Sequence, residues 1–180
     1  MFFQILRMAS GCDHLLLLDI SGQVYSLGCA ESGQLGRVSA LFLHTNRKTS
    51  HSNNIIQLSS HFCQKGGRRG ADKVLAAATI QLKKVTRKTG RVIDVACGQY
   101  SSFLVTESGQ VIGFGLNNCY QMGYQDREVR YAPEVIPIKD GDNDVKVKRI
   151  ASGMHHTLFL SESGEFLLLM NFQRYFYSFR

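Results

Sequence analysis

Cysteine and histidine are the side chains in this sequence that are best suited to nucleophilic or metal chemistry. The five cysteines stand singly, with no Cys-x-x-Cys pair, and most lie within or beside predicted strands, so we interpret them as buried, reduced thiols. They are Cys12, Cys29, Cys63, Cys97 and Cys119. A zinc site from His44, His51, His61 and Cys63 has suitable ligand types, but its spacing fits no standard zinc pattern. We therefore predict no metal site.

Motifs for covalent or phosphate chemistry are absent from the sequence. It contains no Gly-x-Ser-x-Gly elbow, no His-Glu-x-x-His pair and no Gly-x-x-x-x-Gly-Lys loop, which are the signatures of hydrolases, metalloproteases and nucleotide-binding loops. We predict a binding protein with no catalytic residue, no cofactor and no small-molecule substrate. No signal peptide or membrane-spanning segment is predicted either, because no apolar run approaches membrane length.

Basic side chains are concentrated in one segment. Between Arg47 and Arg91 lie eleven basic residues and one acid, a net charge of +10, against +7 for the whole chain. Such a block attracts nucleic-acid phosphate or an acidic protein surface; a solvated loop kept soluble by its charge is the alternative. Residues 83–88 (KKVTRK) also resemble a weak nuclear import signal. The residues that we assign to phosphate contact are Lys65, Arg68, Arg69, Lys83, Lys84, Arg87 and Lys88.

An internal repeat must position all of these side chains. Glycines recur at spacings of 11, 6 and 8 residues, and each copy carries a Ser-Gly pair between two apolar runs, which predicts a β-hairpin. The predicted turn glycines are Gly11, Gly22, Gly28 and Gly36 in the first copy, Gly98, Gly109, Gly115 and Gly123 in the second, and Gly153 and Gly164 in the third. Short strands repeating at this period are typical of propeller blades.

The motifs ASGCDHLLLL, SGQVYSLGCAESGQLGR and HHTLFLSESGE resemble the repeat of the regulator of chromosome condensation family, and LGCAESGQLGRVSALF, KGGRRGADKVL and GFGLNNCYQMG follow one another in that family's order. The resemblance implies a seven-bladed β-propeller that exchanges guanine nucleotide on the small GTPase Ran while docked on nucleosomes. It further implies a nuclear, chromatin-associated protein, with the cytoplasm as the alternative. Because seven repeats are needed for closure, we predict an all-β fold, a partial propeller of about three blades whose ring is not closed.

The same resemblance carries over four residues as contacts to Ran. Asp13 matches an aspartate that is critical for exchange, with a turn-forming Asp as the alternative. Arg37 matches an interface arginine, with a merely exposed side chain as the alternative, and Asn118 and His155 match further interface positions. The family's repeat places His14 and His156 where a histidine ties a strand to a turn, so we predict a structural role for both.

The sequence departs from the family in two places. A polar stretch interrupts the match after the first copy, and Met170 stands where the third copy should have glycine. The predicted segments are a first blade (1–42), an inserted and disordered stretch (43–65), a basic connector completing the blade (66–94), a second blade (95–149), the start of a third (150–165) and a divergent tail (166–180).

The resemblance also implies that a hairpin inserted into the GTPase is central to exchange, and that this hairpin lies in the blade before the first repeat of this sequence. We therefore expect little exchange activity. The alternative function is a repeat-bearing interaction scaffold without an exchange role.

Overall fold

The computed structural model describes residues 4–36, 78–80, 89–170 and 173–177. Every element with described bounds is a β-strand, and the strands form three four-stranded antiparallel sheets in sequential order. The first sheet contains β1 (Ile5–Ser10), β2 (His14–Asp19), β3 (Val24–Gly28) and β4 (Ala78–Thr79). The second contains β5 (Val92–Cys97), β6 (Ser101–Thr106), β7 (Val111–Gly115) and β8 (Arg130–Ile136).

A short hairpin leads from the second sheet to the third. It consists of β9 (Lys139–Asp140) and β10 (Asn143–Asp144). The third sheet contains β11 (Val147–Ser152), β12 (His156–Ser161), β13 (Phe166–Met170) and β14 (Gln173–Tyr177). This arrangement confirms the prediction of an all-β, partial propeller whose ring is not closed. None of the described residues belongs to a helix that is long and apolar enough to cross a membrane.

The Ser-Gly pairs form the predicted hairpins in all three sheets. In each, the residue that ends the second strand hydrogen-bonds the residue four positions later, at N–O distances of 2.8–3.0 Å. These pairs are Asp19 with Gln23, Thr106 with Gln110, and Ser161 with Glu165. In the first hairpin the Asp19 carboxylate also accepts hydrogen bonds from Ser21 and Tyr25. Although burial opposes ionisation, these bonds lower the pKa of Asp19, so the carboxylate stays charged and holds the turn.

The glycine that ends the third strand decides where the chain goes next. Gly28 and Gly115 have positive φ values of 110° and 106°, and a Cβ at Gly28 would overlap the carbonyl oxygen of Asp13. In the third sheet Met170 stands at this position and pairs with Gln173, so β13 leads directly into the outer strand β14. The third sheet therefore includes β13 and β14, which lie in the segment 166–180 that the sequence analysis describes as a divergent tail.

The core lies between the sheets. One cluster joins the first and second sheets, and another joins the second and third, where Phe103 and Phe159 meet edge to face at 6.1 Å between ring centres. Strands β6 and β7 are buried along their whole length because both faces of the second sheet are covered. On the inner strands, Asp94 lies between Arg7 and Arg149, at 3.7 and 3.9 Å.

Candidate protein-binding site

Three of the four predicted Ran contacts, Asp13, Asn118 and His155, lie at one end of the stacked sheets. His14, the first residue of β2, pairs with Gly28, the last residue of β3, so the turn before β2 and the loop after β3 share an end. The same holds for Ser101 and Gly115 in the second sheet. We call this the Asp13 end. It comprises the turns 11–13, 98–100 and 153–155 and the loops 29–36 and 116–123.

Backbone hydrogen bonds join the three turns into a continuous row. The amide of Cys12 donates to the carbonyl of Gln99 at 3.0 Å, and the amide of Gln99 donates to the carbonyl of Gly153 at 3.3 Å. Each turn is also closed within its own sheet by a bond from its glycine amide, at 2.8–2.9 Å. Side chains on these turns are therefore held at fixed spacing by a rigid scaffold, which is where binding residues are usually found.

A buried polar network lies beneath the row. His14 is 4% exposed, and its Nε2 lies 2.9 Å from the hydroxyl of Ser102 on β6. That hydroxyl donates to the carbonyl of Gln34 at 2.7 Å, so the imidazole is the donor in the contact with Ser102. Burial lowers the pKa of His14, which keeps the ring neutral at pH 7. His14 thus joins the first sheet to the second, as its predicted structural role requires. His156 is exposed instead.

Asp13 is held from the side by a glutamine. Its Oδ1 accepts a hydrogen bond of 3.1 Å from Nε2 of Gln34, which is itself fully buried. The carboxylate lies 3.8 Å from Nδ1 of His14, and 35% of the side chain is exposed. The partner of the carboxylate is therefore a side chain of the next loop, 21 residues away, rather than the backbone of its own turn.

Asn118 and His155 come together where the second and third sheets meet. Asn118 is exposed, and its Oδ1 accepts a hydrogen bond from Gln121 at 3.3 Å. Its neighbour Cys119 places its sulfur 3.1 Å from Nδ1 of His155. The loop that carries Asn118 thus contacts the turn that carries His155 through Cys119, across 36 residues of sequence.

Tyr100 is a surface residue that the sequence analysis missed. It occupies in the second sheet the position that Asp13 has in the first and His155 in the third. The Cys12 thiol beside it, together with burial, raises the pKa of Tyr100, so the phenol stays protonated near neutral pH. Alignment of the three repeats on their glycines would have identified it.

The prediction of buried thiols is only partly correct. Cys29 is buried, and burial raises the pKa of Cys97 to about 12. Cys12 is exposed and Cys119 partly exposed, because both lie in turns at the Asp13 end and not in strands.

Several predicted contacts fall outside the described residues. Arg37 is one of them, and so are all seven basic residues assigned to phosphate contact, namely Lys65, Arg68, Arg69, Lys83, Lys84, Arg87 and Lys88. The inserted stretch 43–65 and most of the connector 66–94 also lie there. Within the described part, Arg91 pairs with Glu107.

Comparison with known proteins identifies the kind of repeat. Residues 92–121 and 108–160 match the Regulator of chromosome condensation (RCC1) repeat. The Regulator of chromosome condensation of Xenopus laevis is 36% identical over 163 residues, which cover 89% of this chain and 33% of that protein. The Ultraviolet-B receptor UVR8 of Arabidopsis thaliana is 30% identical, with 89% of this chain and 40% of the receptor covered.

The fold is similar to that of a solved structure as well. The crystal structure of Prp20p from Saccharomyces cerevisiae superimposes on this chain with a TM-score of 0.64 at 26% sequence identity. Binding properties to Gsp1p and histones accompany that structure of Prp20p. The match covers 94% of this chain and 31% of Prp20p, so the chain spans about a third of the length of this relative and of the Xenopus protein. Repeat, sequence and fold agree: residues 92–160 carry repeats of the regulator of chromosome condensation family, and the chain as a whole is similar to proteins of that family.

Proposed function

We propose that the Asp13 end binds a small GTPase of the Ran type, with Asp13, Asn118 and His155 as contacts. The observation that carries the proposal is that an acid, an amide and an imidazole are exposed at the Asp13 end, the acid and the imidazole on the hydrogen-bonded row of turns and the amide on the loop 116–123. Arg37 belongs to the same proposal from the sequence. The binding of Gsp1p by Prp20p supports the class of partner.

The chemistry of these side chains suits guanine nucleotide exchange, which needs no covalent step. A factor that binds the nucleotide-free GTPase more tightly than the loaded form lowers nucleotide affinity by the same factor, by linkage. The carboxylate of Asp13 can compete for a lysine of the GTPase that otherwise binds phosphate. The amide of Asn118 and the imidazole of His155 offer further hydrogen-bond donors and acceptors.

We also propose that the basic segment docks on nucleosomes and that the protein acts in the nucleus. Its net charge of +10 suits phosphate, and the histone binding of Prp20p points to the same partner.

The test is binding of purified Ran in its nucleotide-free, GDP and GTP forms to the 180-residue chain. We expect preference for the nucleotide-free form. Asp13→Asn retains an oxygen that accepts from Gln34 but removes the charge, so it separates contact from folding. Asp142→Asn is the matched control, because Asp142 is exposed beside the β9–β10 hairpin, outside the Asp13 end.

Asp13→Asn should weaken the nucleotide-free complex at least tenfold, on the order of 1.4 kcal/mol for a lost charged contact, whereas Asp142→Asn should leave it unchanged. Equal affinity for the three forms would contradict the proposal and favour the interaction scaffold, a reading that kinship with the receptor UVR8 keeps open. Release of fluorescent GDP in the same mixtures measures whether binding is accompanied by exchange.

A further inference from the structure

The Cys119 thiol lies beside the His155 imidazole, and the function proposed above gives the thiol no role. The sulfur lies 3.1 Å from Nδ1, and the two residues come from loops of different sheets. A thiol within hydrogen-bond reach of an imidazole is the arrangement that activates cysteine nucleophiles, because the imidazole accepts the proton as the sulfur attacks. Cys119 is partly exposed, so a reagent can reach it.

The repeat supplies an internal comparison for this pair. At the junction between the first and second sheets, Ser32 stands at the position of Cys119 and Tyr100 at the position of His155. The equivalence is shown by the loop bonds, since the amides of Ser32 and Cys119 both donate to the side-chain oxygen of a glutamine two residues later, at 2.8 and 2.9 Å. A serine hydroxyl needs a base to act as a nucleophile, and a tyrosine phenol does not serve as a base near neutral pH. The junction between the second and third sheets instead carries a nucleophile, Cys119, and a base, His155, at these two positions.

The other described thiols lack this combination of access and base. Cys29 is buried, so a reagent does not reach it, and burial raises the pKa of Cys97 to about 12, so Cys97 does not form a thiolate near pH 7. Cys12 is exposed, but its neighbour is the Tyr100 phenol, which does not accept a proton near neutral pH.

We propose that Cys119 is a modification site for soft electrophiles, with His155 as its general base. With iodoacetamide, a bond forms between Sγ and the methylene carbon while the carbon–iodine bond breaks and iodide leaves. The thiol proton passes to Nδ1 of His155 and from there to solvent. The site lies within the Asp13 end, but its reactivity does not depend on GTPase binding.

The test uses the fully reduced 180-residue chain, limiting iodoacetamide at pH 7 and peptide mass spectrometry of each thiol over time. We expect Cys119 to be alkylated about tenfold faster than Cys12, a modest share of the 10²–10⁴ that a positioned acid or base supplies. His155→Gln should remove most of this advantage, because an amide cannot take the proton. His156→Gln is the matched control, since the neighbouring exposed histidine follows the turn and should leave the rate unchanged.

Slow labelling of Cys29 and Cys97 in the same sample reports that each variant remains folded. Equal rates at Cys119 in the wild type and in His155→Gln would overturn the proposal, and so would a Cys119 rate no higher than that of Cys12. A loss of rate in His156→Gln equal to that in His155→Gln would overturn it as well.

Discussion

Ser102→Ala tests the buried polar network that joins the first two sheets. The Ser102 hydroxyl is fully buried and takes part in two hydrogen bonds, of 2.9 Å with His14 and 2.7 Å with Gln34. Removing it leaves the Nε2–H of His14 and the carbonyl of Gln34 buried without this partner. A buried polar group that loses its partner costs about 1–3 kcal/mol. We therefore expect the free energy of unfolding to fall by about 2–4 kcal/mol.

The adjacent Ser101 provides a matched control. Its hydroxyl is also buried, at 1% exposure, but the structure gives that oxygen no hydrogen-bond partner. Ser101→Ala therefore removes a desolvated hydroxyl without orphaning another group. We expect a change within about 0.5 kcal/mol, or a small gain in stability. The two substitutions are chemically identical and one residue apart, so their difference isolates the network.

Urea unfolding at pH 7, followed by circular dichroism, measures the effect. For a urea slope of about 2 kcal/mol/M, Ser102→Ala should lower the midpoint by about 1–2 M, and Ser101→Ala should leave it nearly unchanged. Equal shifts for the two variants would refute the reasoning, because they would show that the hydroxyl bonds contribute nothing to holding the sheets together.

Two further predictions concern charge. Burial holds the pKa of His14 below its ordinary value of about 6.5, so the unfolded chain binds more protons than the folded one, and the free energy of unfolding should fall as the pH drops below about 6.5. The difference between the urea midpoints at pH 7.5 and 5.5 should therefore be smaller in His14→Gln than in the wild type. An equal difference in the two proteins would argue against a buried neutral ring. Nucleosome binding by the basic segment should weaken steeply between about 50 and 200 mM salt, as expected for release of counterions from several phosphates. Changing Lys83, Lys84, Arg87 and Lys88 to Gln should make this salt dependence less steep. An unchanged slope would contradict docking through this segment.

Periodicity made the architecture readable from the sequence. Glycine at fixed spacing marks backbone positions that a Cβ cannot occupy, such as Gly28 with its φ of 110°, and so the hairpins could be predicted. The tail could not. The prediction there rested on Met170 replacing a glycine, yet β13 needs no positive φ to enter a short connection to β14, and its apolar residues Leu167 and Leu169 still pack against the second sheet.

The sequence by itself determined the repeat, the hairpin turns and the kind of side chain on each turn, because these depend on local backbone geometry and on spacing along the chain. Only the tertiary structure decided which of those side chains meet. It buried His14 against Ser102, 88 residues away, exposed the equivalent His156, and placed Cys119 beside His155. Those contacts depend on how neighbouring sheets stack, which no single repeat specifies.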